Sequence, residues 1–377
     1  MALAAAGTLS GLRMLLPVPI AVFVSPHGYG HAARACAVMQ ELSKLGAASQ
    51  FEIFTLVPEW FFNDSLTCPF GYHPLLTDVG LVQTTSLVEN PDETLRRLDE
   101  FLPFGVGQLD SLARVLDELA CQLVLCDISP LGIAAAQRAG IPSALVENFT
   151  WDWIYEPYAE RLPAFWRPIA ALAELFELAT SRIQTEPVCR PDGRFPSVPP
   201  VSRSPRTPAP VVRHRLGTPG EARMVLLTMG GIPWQHTFLR RLEQRGDVFF
   251  VVPGASDHFE RRGSLVTLPH RSGFFHPDLV HAADAVVGKL GYSTLAEVYA
   301  AGVPLGYVER PTFRESPVLE AFAAERMPGL ALTVEELAEG TWLERVPELL
   351  AMPKAGSRRS NGTAAAAGIV RELLPGG

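Results

Sequence analysis

The stretch Val286-Val-Gly-Lys-Leu-Gly-Tyr-Ser-Thr-Leu-Ala-Glu297 decides how this chain is read. Ala285 to Val287 reads as a buried apolar strand, Gly288 and Gly291 as a loop, and the residues after it as a helix, with a second strand at 304–309. A strand, a small-residue loop and a helix N-terminus together form an anion site. The free backbone N–H groups and the positive end of the helix dipole both face the ligand. Glu297, one turn inside that helix, can accept hydrogen bonds from a sugar diol beside the phosphates, as binding of a nucleotide diphosphate requires. A structural reading stands beside it. Thr294-Leu-Ala-Glu297 also fits a capping box, in which the glutamate only satisfies an orphan N–H.

Outward from this motif, strands alternate with helices, which implies an α/β fold with parallel, doubly wound sheets. In residues 19–186, apolar strands are expected at 19–24, 51–57, 123–126 and 141–146, with helices at 31–44, 91–119 (broken at Pro103), 130–139 and 168–183. Residues 187–210 carry eight prolines and read as a stiff linker. Residues 211–350 repeat the pattern, with strands at 224–228, 248–252 and 265–268 and helices at 235–244, 317–326 and 334–350. Residues 351–377 read as a tail containing an Ala-rich helix that could cross back onto the first half, and residues 1–18 as a leader that could be disordered. That leader has Arg13 inside it and no cleavage site, so it is not read as a secretory signal. A chain of 377 residues suits two domains better than one core.

The net charge of −8, without a basic run, argues against a nucleic-acid partner. The five cysteines show neither C-x-x-C nor a Cys/His ligand spacing, so a cytoplasmic protein without a metal site is expected. No apolar run is long enough for a transmembrane helix.

Two further constellations end strands on the same edge. In Ser25-Pro-His-Gly-Tyr-Gly-His31, a strand turns through Gly28 and Gly30 into a helix, with two histidines four apart. One of them could act as a general base. The loop is not G-x-G-x-x-G, which argues against a dinucleotide site. Helix capping by His27 and His31 is the structural alternative. The second constellation is Asp127-Ile-Ser-Pro130 followed by Asn148-Phe-Thr-Trp-Asp-Trp-Ile-Tyr155. Asp127 could orient an imidazole. Trp151 and Trp153 with Asn148 and Asp152 could form a sugar-stacking rim, or else an aromatic cluster packed between domains.

Together these blocks resemble the glycosyltransferase-like domain at the front of plant L-arabinokinases and in stand-alone bacterial proteins. The matching pieces are Gly28 to Arg34, Asp127 to Pro130, Asn148 to Tyr155, Gly288 to Glu297 and Glu309 to Leu319, in the same order. More remotely, the chain is similar to the transferases that make the lipid-linked disaccharide of peptidoglycan. The resemblance implies a GT-B fold, two Rossmann-like domains facing a cleft, and a glycosyltransferase working without metal or cofactor by inverting transfer. The donor would be a nucleotide-sugar, UDP-linked, and the acceptor an unspecified hydroxyl. The kinase domain of arabinokinases has no counterpart here, so sugar phosphorylation is not expected. A nucleotide-sugar epimerase and a non-catalytic nucleotide-sugar-binding protein are the alternatives.

The residues implied are His31 as first candidate base, His27 as second and Asp127 as orienter. Donor binding falls to Gly230 and Gly231, to Lys289, Gly291, Tyr292, Ser293, Thr294 and Glu297, and to Arg314 and Glu315. The last two stand where the family often has an Asp/Glu-Gln pair. Acceptor binding falls to Gly28, Tyr29 and Gly30, and to Asn148, Trp151, Asp152 and Trp153. Peripheral contact with a membrane is left open, and the oligomeric state is not assigned.

Overall fold

The computed structural model describes residues 18–85, 88–229, 238–308, 312–355 and 360–375. The leader up to residue 17, the Gly230-Gly231 turn and the first three residues of the helix expected at 235–244 therefore lie outside the described residues; the rest of that helix is seen as Leu239–Glu243. In chain order the first strands are β1 (Val18–Val24), β2 (Ala48–Thr55) and β3 (Phe70–Pro74), then a hairpin of β4 (Gln83–Thr85) and β5 (Val88–Glu89). They are followed by β6 (Leu123–Asp127), β7 (Ser143–Glu147), β8 (Ser181–Thr185) and β9 (Ser197–Val198). Seven of these make one parallel sheet in the order β3-β2-β1-β6-β7-β8-β9.

The second sheet uses β10 (Arg223–Thr228), β11 (Val248–Pro253), β12 (Glu260–Arg262), β13 (Leu265–Leu268), β14 (Ala285–Lys289), β15 (Leu305–Val308) and β16 (Gly329–Leu332). Its order is β12-β13-β11-β10-β14-β15-β16, parallel except for β12. Both sheets reverse their winding beside their first strand, at β1/β6 and at β10/β14. Ligands bind outside the carboxyl ends of strands at such switch points.

The central strands form because their residues are apolar on both faces, as a covered parallel sheet requires. Ile20 to Val24 and Val225 and Leu226 are wholly buried, and helices cover both sides of each sheet. Two glycines are needed at the switch points. Gly28 starts the helix Tyr29–Lys44 at φ 84°, a conformation that costs an L side chain about 1 kcal/mol or more. A Cβ on Gly288 would stand 1.9 Å from the Thr228 carbonyl oxygen, so only glycine lets β14 approach β10 there.

The structure differs from the sequence reading in several places. The helix expected at 168–183 spans Trp166–Glu177, and the chain then enters β8. The segment 151–155, given no secondary structure in the sequence reading, is the start of a helix, Trp151–Ala159. Within 187–210, β9 joins the first sheet and the helix Ala209–Leu216 begins. Residues 334–350 break at Gly340 (φ 75°) into two short helices joined by a 3-10 turn. The tail helix Thr363–Arg371 buries Ala366, Ala367 and Val370 in the core of the first domain, against helix Tyr29–Lys44. No helix among the described residues is long and apolar enough to cross a membrane.

Candidate functional site

Helix Tyr29–Lys44 leaves the carboxyl end of β1 and carries His31 and Arg34 three apart, on one face. Asp127 closes β6 next door and reaches both. His31 Nδ1 lies 2.8 Å from Asp127 Oδ1, and Arg34 donates from Nε to Oδ2 and from its terminal nitrogen to Oδ1, each at 2.8 Å. Burial alone would raise the Asp127 carboxyl. The Arg34 charge and hydrogen bonds, with His31, hold it below the ordinary carboxylate range. Burial alone would likewise lower the Arg34 guanidinium, and Asp127 more than reverses this. Asp127 is therefore ionised and can only accept, so His31 Nδ1 is the donor. The neutral ring keeps its lone pair on Nε2.

Arg34 is 1% exposed and donates from its other terminal nitrogen to Asn148 Oδ1 (2.7 Å) and Thr185 Oγ1 (3.4 Å). Its guanidinium lies 4.8 Å from the ring centroid of Tyr292, in the second domain. Asn148 in turn donates to Glu315 Oε1 at 2.7 Å.

Between the two domains lies a cavity of about 290 Å³. One wall holds His27, Gly28, Tyr29, Gly30, His31 and Asn148; the other holds Lys289, Gly291, Tyr292, Ser293, Thr294 and Glu315. Two helix N-termini, of Tyr29–Lys44 and Tyr292–Ala301, meet across it; a Cβ on Gly30 would lie 3.4 Å from Ser293 Oγ. Gly291 caps the second helix without any side-chain hydrogen bond, so the N–H groups of its first turn are not taken by a capping side chain.

Tyr29, Ser293 and Thr294 also border a second cavity of about 150 Å³, again between the domains, walled by Trp60 and Phe61 of the first and Phe274 and Phe275 of the second. Glu297 lies there, 3% exposed. Its Oε1 accepts from Arg203 Nε at 2.9 Å, and its Oε2 lies 2.7 Å from His276 Nδ1. Burial would raise this carboxyl, but the Arg203 charge and the His276 hydrogen bond hold it low. The capping-box alternative fails, because Glu297 is bonded to Arg203 and His276 and not to the helix start.

Some expected residues are elsewhere. Trp151 is 1% exposed and packs beneath His27, His31 and Tyr155 as core. Asp152 is buried and pairs with Arg190 at 3.4 Å. Trp153 is covered by the Arg314 guanidinium, 4.1 Å from the ring centroid, and Arg314 donates to Trp153 O and Glu156. The aromatic rim is thus absent from both cavities, because helix Trp151–Ala159 turns Trp151, Ile154 and Tyr155 inward. Arg34, Arg203 and His276 were not assigned from sequence. Arg34 did leave a signal, a charge on an otherwise apolar helical face. Arg203 left none, since its partner is 94 residues away.

The paired switch-point sheets, the cleft between them and the facing helix ends define the architecture. The fold is GT-B. Solved GT-B structures match nearly the whole chain. VinC, a glycosyltransferase in complex with dTDP, superposes with a TM-score of 0.59 at 15% identity, covering 94% of this chain and 95% of its own. MurG of Acinetobacter baumannii does so at 0.54 and 17%, covering 94% and 100%. Among curated proteins, L-arabinokinase of Arabidopsis thaliana is 27% identical over 371 residues, 94% of this chain. The chain spans only 34% of that protein's length. An uncharacterized glycosyltransferase of Methanopyrus kandleri is 25% identical over 351 residues, 89% of this chain and 98% of its own. No protein-family profile matches the chain. The Methanopyrus homologue and the structural neighbours of this GT-B chain are thus glycosyltransferases.

Proposed function

We propose that this protein transfers a sugar from a nucleotide-sugar, UDP-linked, to an acceptor hydroxyl, with inversion at the anomeric carbon. One observation carries the reading: an imidazole oriented by an ionised carboxylate faces an uncapped helix N-terminus across a shared cavity. The nucleoside occupies the second cavity, where Glu297 keeps lone pairs beyond those given to Arg203 and His276 and accepts the ribose diol. The diphosphate rests on the N–H groups at Tyr292 to Thr294, and the sugar projects into the larger cavity.

His31 Nε2 then takes the proton of the acceptor hydroxyl. The oxygen forms its bond to the anomeric carbon as the bond from that carbon to the phosphate oxygen breaks. The electron pair leaves with the nucleoside diphosphate, whose charge the helix end stabilises. Asp127 holds the ring in the required tautomer and stabilises the imidazolium that forms. Residues 19–186 serve as the acceptor domain and 211–350 as the donor domain in this reading.

The test is product analysis with a panel of nucleotide-sugars and hydroxyl acceptors. Nucleoside diphosphate should appear only when an acceptor is present. Isomerised sugar without an acceptor would make the protein an epimerase, and binding without turnover a sensor. His31→Ala should lower turnover about 10²–10⁴-fold with UDP affinity little changed, since the base belongs to the other domain. Full turnover in that variant would remove His31 from the mechanism.

A further inference from the structure

Four consecutive side chains of the second domain, Thr312 to Glu315, all reach the first. Thr312 Oγ1 donates to Glu89 Oε2 at 2.7 Å, and the ring of Phe313 meets that of Phe149 edge-on, with 6.1 Å between centroids. Arg314 donates to Glu156 Oε2 at 2.6 Å, and Glu315 accepts from Asn148 Nδ2 at 2.7 Å. The first three contacts join the domains, Phe313 through a Phe149 ring that packs edge-on against His31. The fourth joins a longer chain, because Asn148 accepts from Arg34 through its carbonyl oxygen, and Arg34 grips the Asp127 that orients His31.

The amide of Asn148 has one donor end and one acceptor end. Arg34 is donor-only and needs the oxygen, while the Glu315 carboxylate is acceptor-only and takes the NH₂. Glu315 and Arg34 thereby agree on which way the amide points, Glu315 from the second domain. Without Glu315, the NH₂ is left with a 4.0 Å contact to Cys189 Sγ, and Arg34 alone holds the amide in this orientation. A turned amide sets donor against donor at a guanidinium that is 1% exposed, where water cannot compensate.

We propose that Glu315 is a positioning residue. By docking on Asn148 it lets the second domain tighten the Arg34–Asp127–His31 array, so that the base is best ordered when the segment 312–315 is seated. The device links the donor-binding half of the molecule to the proton-accepting group in the other half. It rests on the transferase reading for its purpose, but its structural content does not need turnover to be measured.

The experiment compares Glu315→Leu and Glu315→Gln. Gln can still present an oxygen to the Asn148 NH₂, whereas Leu cannot. Each is assayed for turnover, for UDP and donor affinity, and for the His31 titration by NMR of histidine-labelled protein. Asp127, Asp78 and, through Asp127, Arg34 are the titratable groups grouped with that ring, and none is altered. Glu315→Leu should lose turnover by about tenfold or more and move the His31 titration, with UDP affinity unchanged within about twofold. Glu315→Gln should restore both readouts.

An unmoved His31 titration in Glu315→Leu overturns the proposal, even if donor affinity falls, since Glu315 would then act on the donor directly. Failure of Glu315→Gln to restore the titration overturns it as well. If the wild-type protein shows no acceptor-dependent release of nucleoside diphosphate, the transferase reading fails while the titration still decides the positioning role.

Discussion

Asp78 is 1% exposed, and burial pushes its carboxyl up to about 7. Ser25 Oγ donates to its Oδ1 at 3.1 Å, but Oδ2 has no hydrogen-bond partner, and neither has the nearby buried Trp151 Nε1. The folded protein therefore takes up this proton well before the unfolded chain, whose aspartates titrate near about 3.9. Between those values the folded state binds more protons, so stability is present at the acid end and falls as pH rises through about 7. Asp78→Asn removes the ionisation and should flatten the profile. Urea melts at pH 5 and pH 8 should show the wild type losing about 2–4 kcal/mol more than the variant over that interval. Equal losses would mean that Asp78 does not titrate there. Nothing in the sequence singles out Asp78, because its environment comes from Ser25 and Trp151, far away along the chain. His31 and Asp127 were legible for the opposite reason. Each stands just past an apolar strand, and strand ends of one parallel sheet share an edge.

At the scale of elements, apolar runs were easy to read and mixed ones were not. β1, β6 and β10 are continuous hydrophobic segments, as central parallel strands must be. β3 is Phe-Gly-Tyr-His-Pro at a sheet edge, only half-buried, and β8 is Ser-Arg-Ile-Gln-Thr, whose Arg182 and Gln184 both bond Glu147. Neither has a periodicity to distinguish it from a loop or a helix end. Helix Tyr292–Ala301 was legible as an element, but the partners of its carboxylate were not. Those partners change what Glu297→Gln should do. The variant keeps the shape but leaves Arg203 facing a neutral amide, with side chains 10% and 3% exposed, so the melting temperature should fall. UDP affinity should fall about 10–100-fold as well, through weaker hydrogen bonds to the ribose diol. Calorimetry on the folded variant separates the effects. Unchanged UDP affinity would leave Glu297 with only the task of holding Arg203.

At the scale of the whole molecule, the chain passes between the domains once before β10 and again after residue 352, and the two passages are tied together. Asn361 donates to Ser202 O at 2.9 Å, and the Gly362 N–H donates to Pro200 O at 3.0 Å. The second passage delivers helix Thr363–Arg371 onto the helix that bears His31 and Arg34, burying Ala366, Ala367, Val370 and Leu374. The proline-rich composition of the first passage announced a boundary. The Ala-rich tail gave only a helix, because small apolar residues do not say which surface they cover. Removing residues 360–377 exposes a strip of helix Tyr29–Lys44 and takes away burial worth about 3–5 kcal/mol after the entropy of ordering the tail is set against it. The loss falls on the domain holding the base, while the Glu297 cavity keeps most of its walls. Calorimetric melting of the truncated chain should show the first domain unfolding ahead of the second, and turnover should fall further than UDP affinity. A truncated chain melting as one transition near the wild-type temperature would mean that helix Tyr29–Lys44 is held by its sheet alone. The tail would then be a cover for the base-bearing helix and not part of what keeps the base in place.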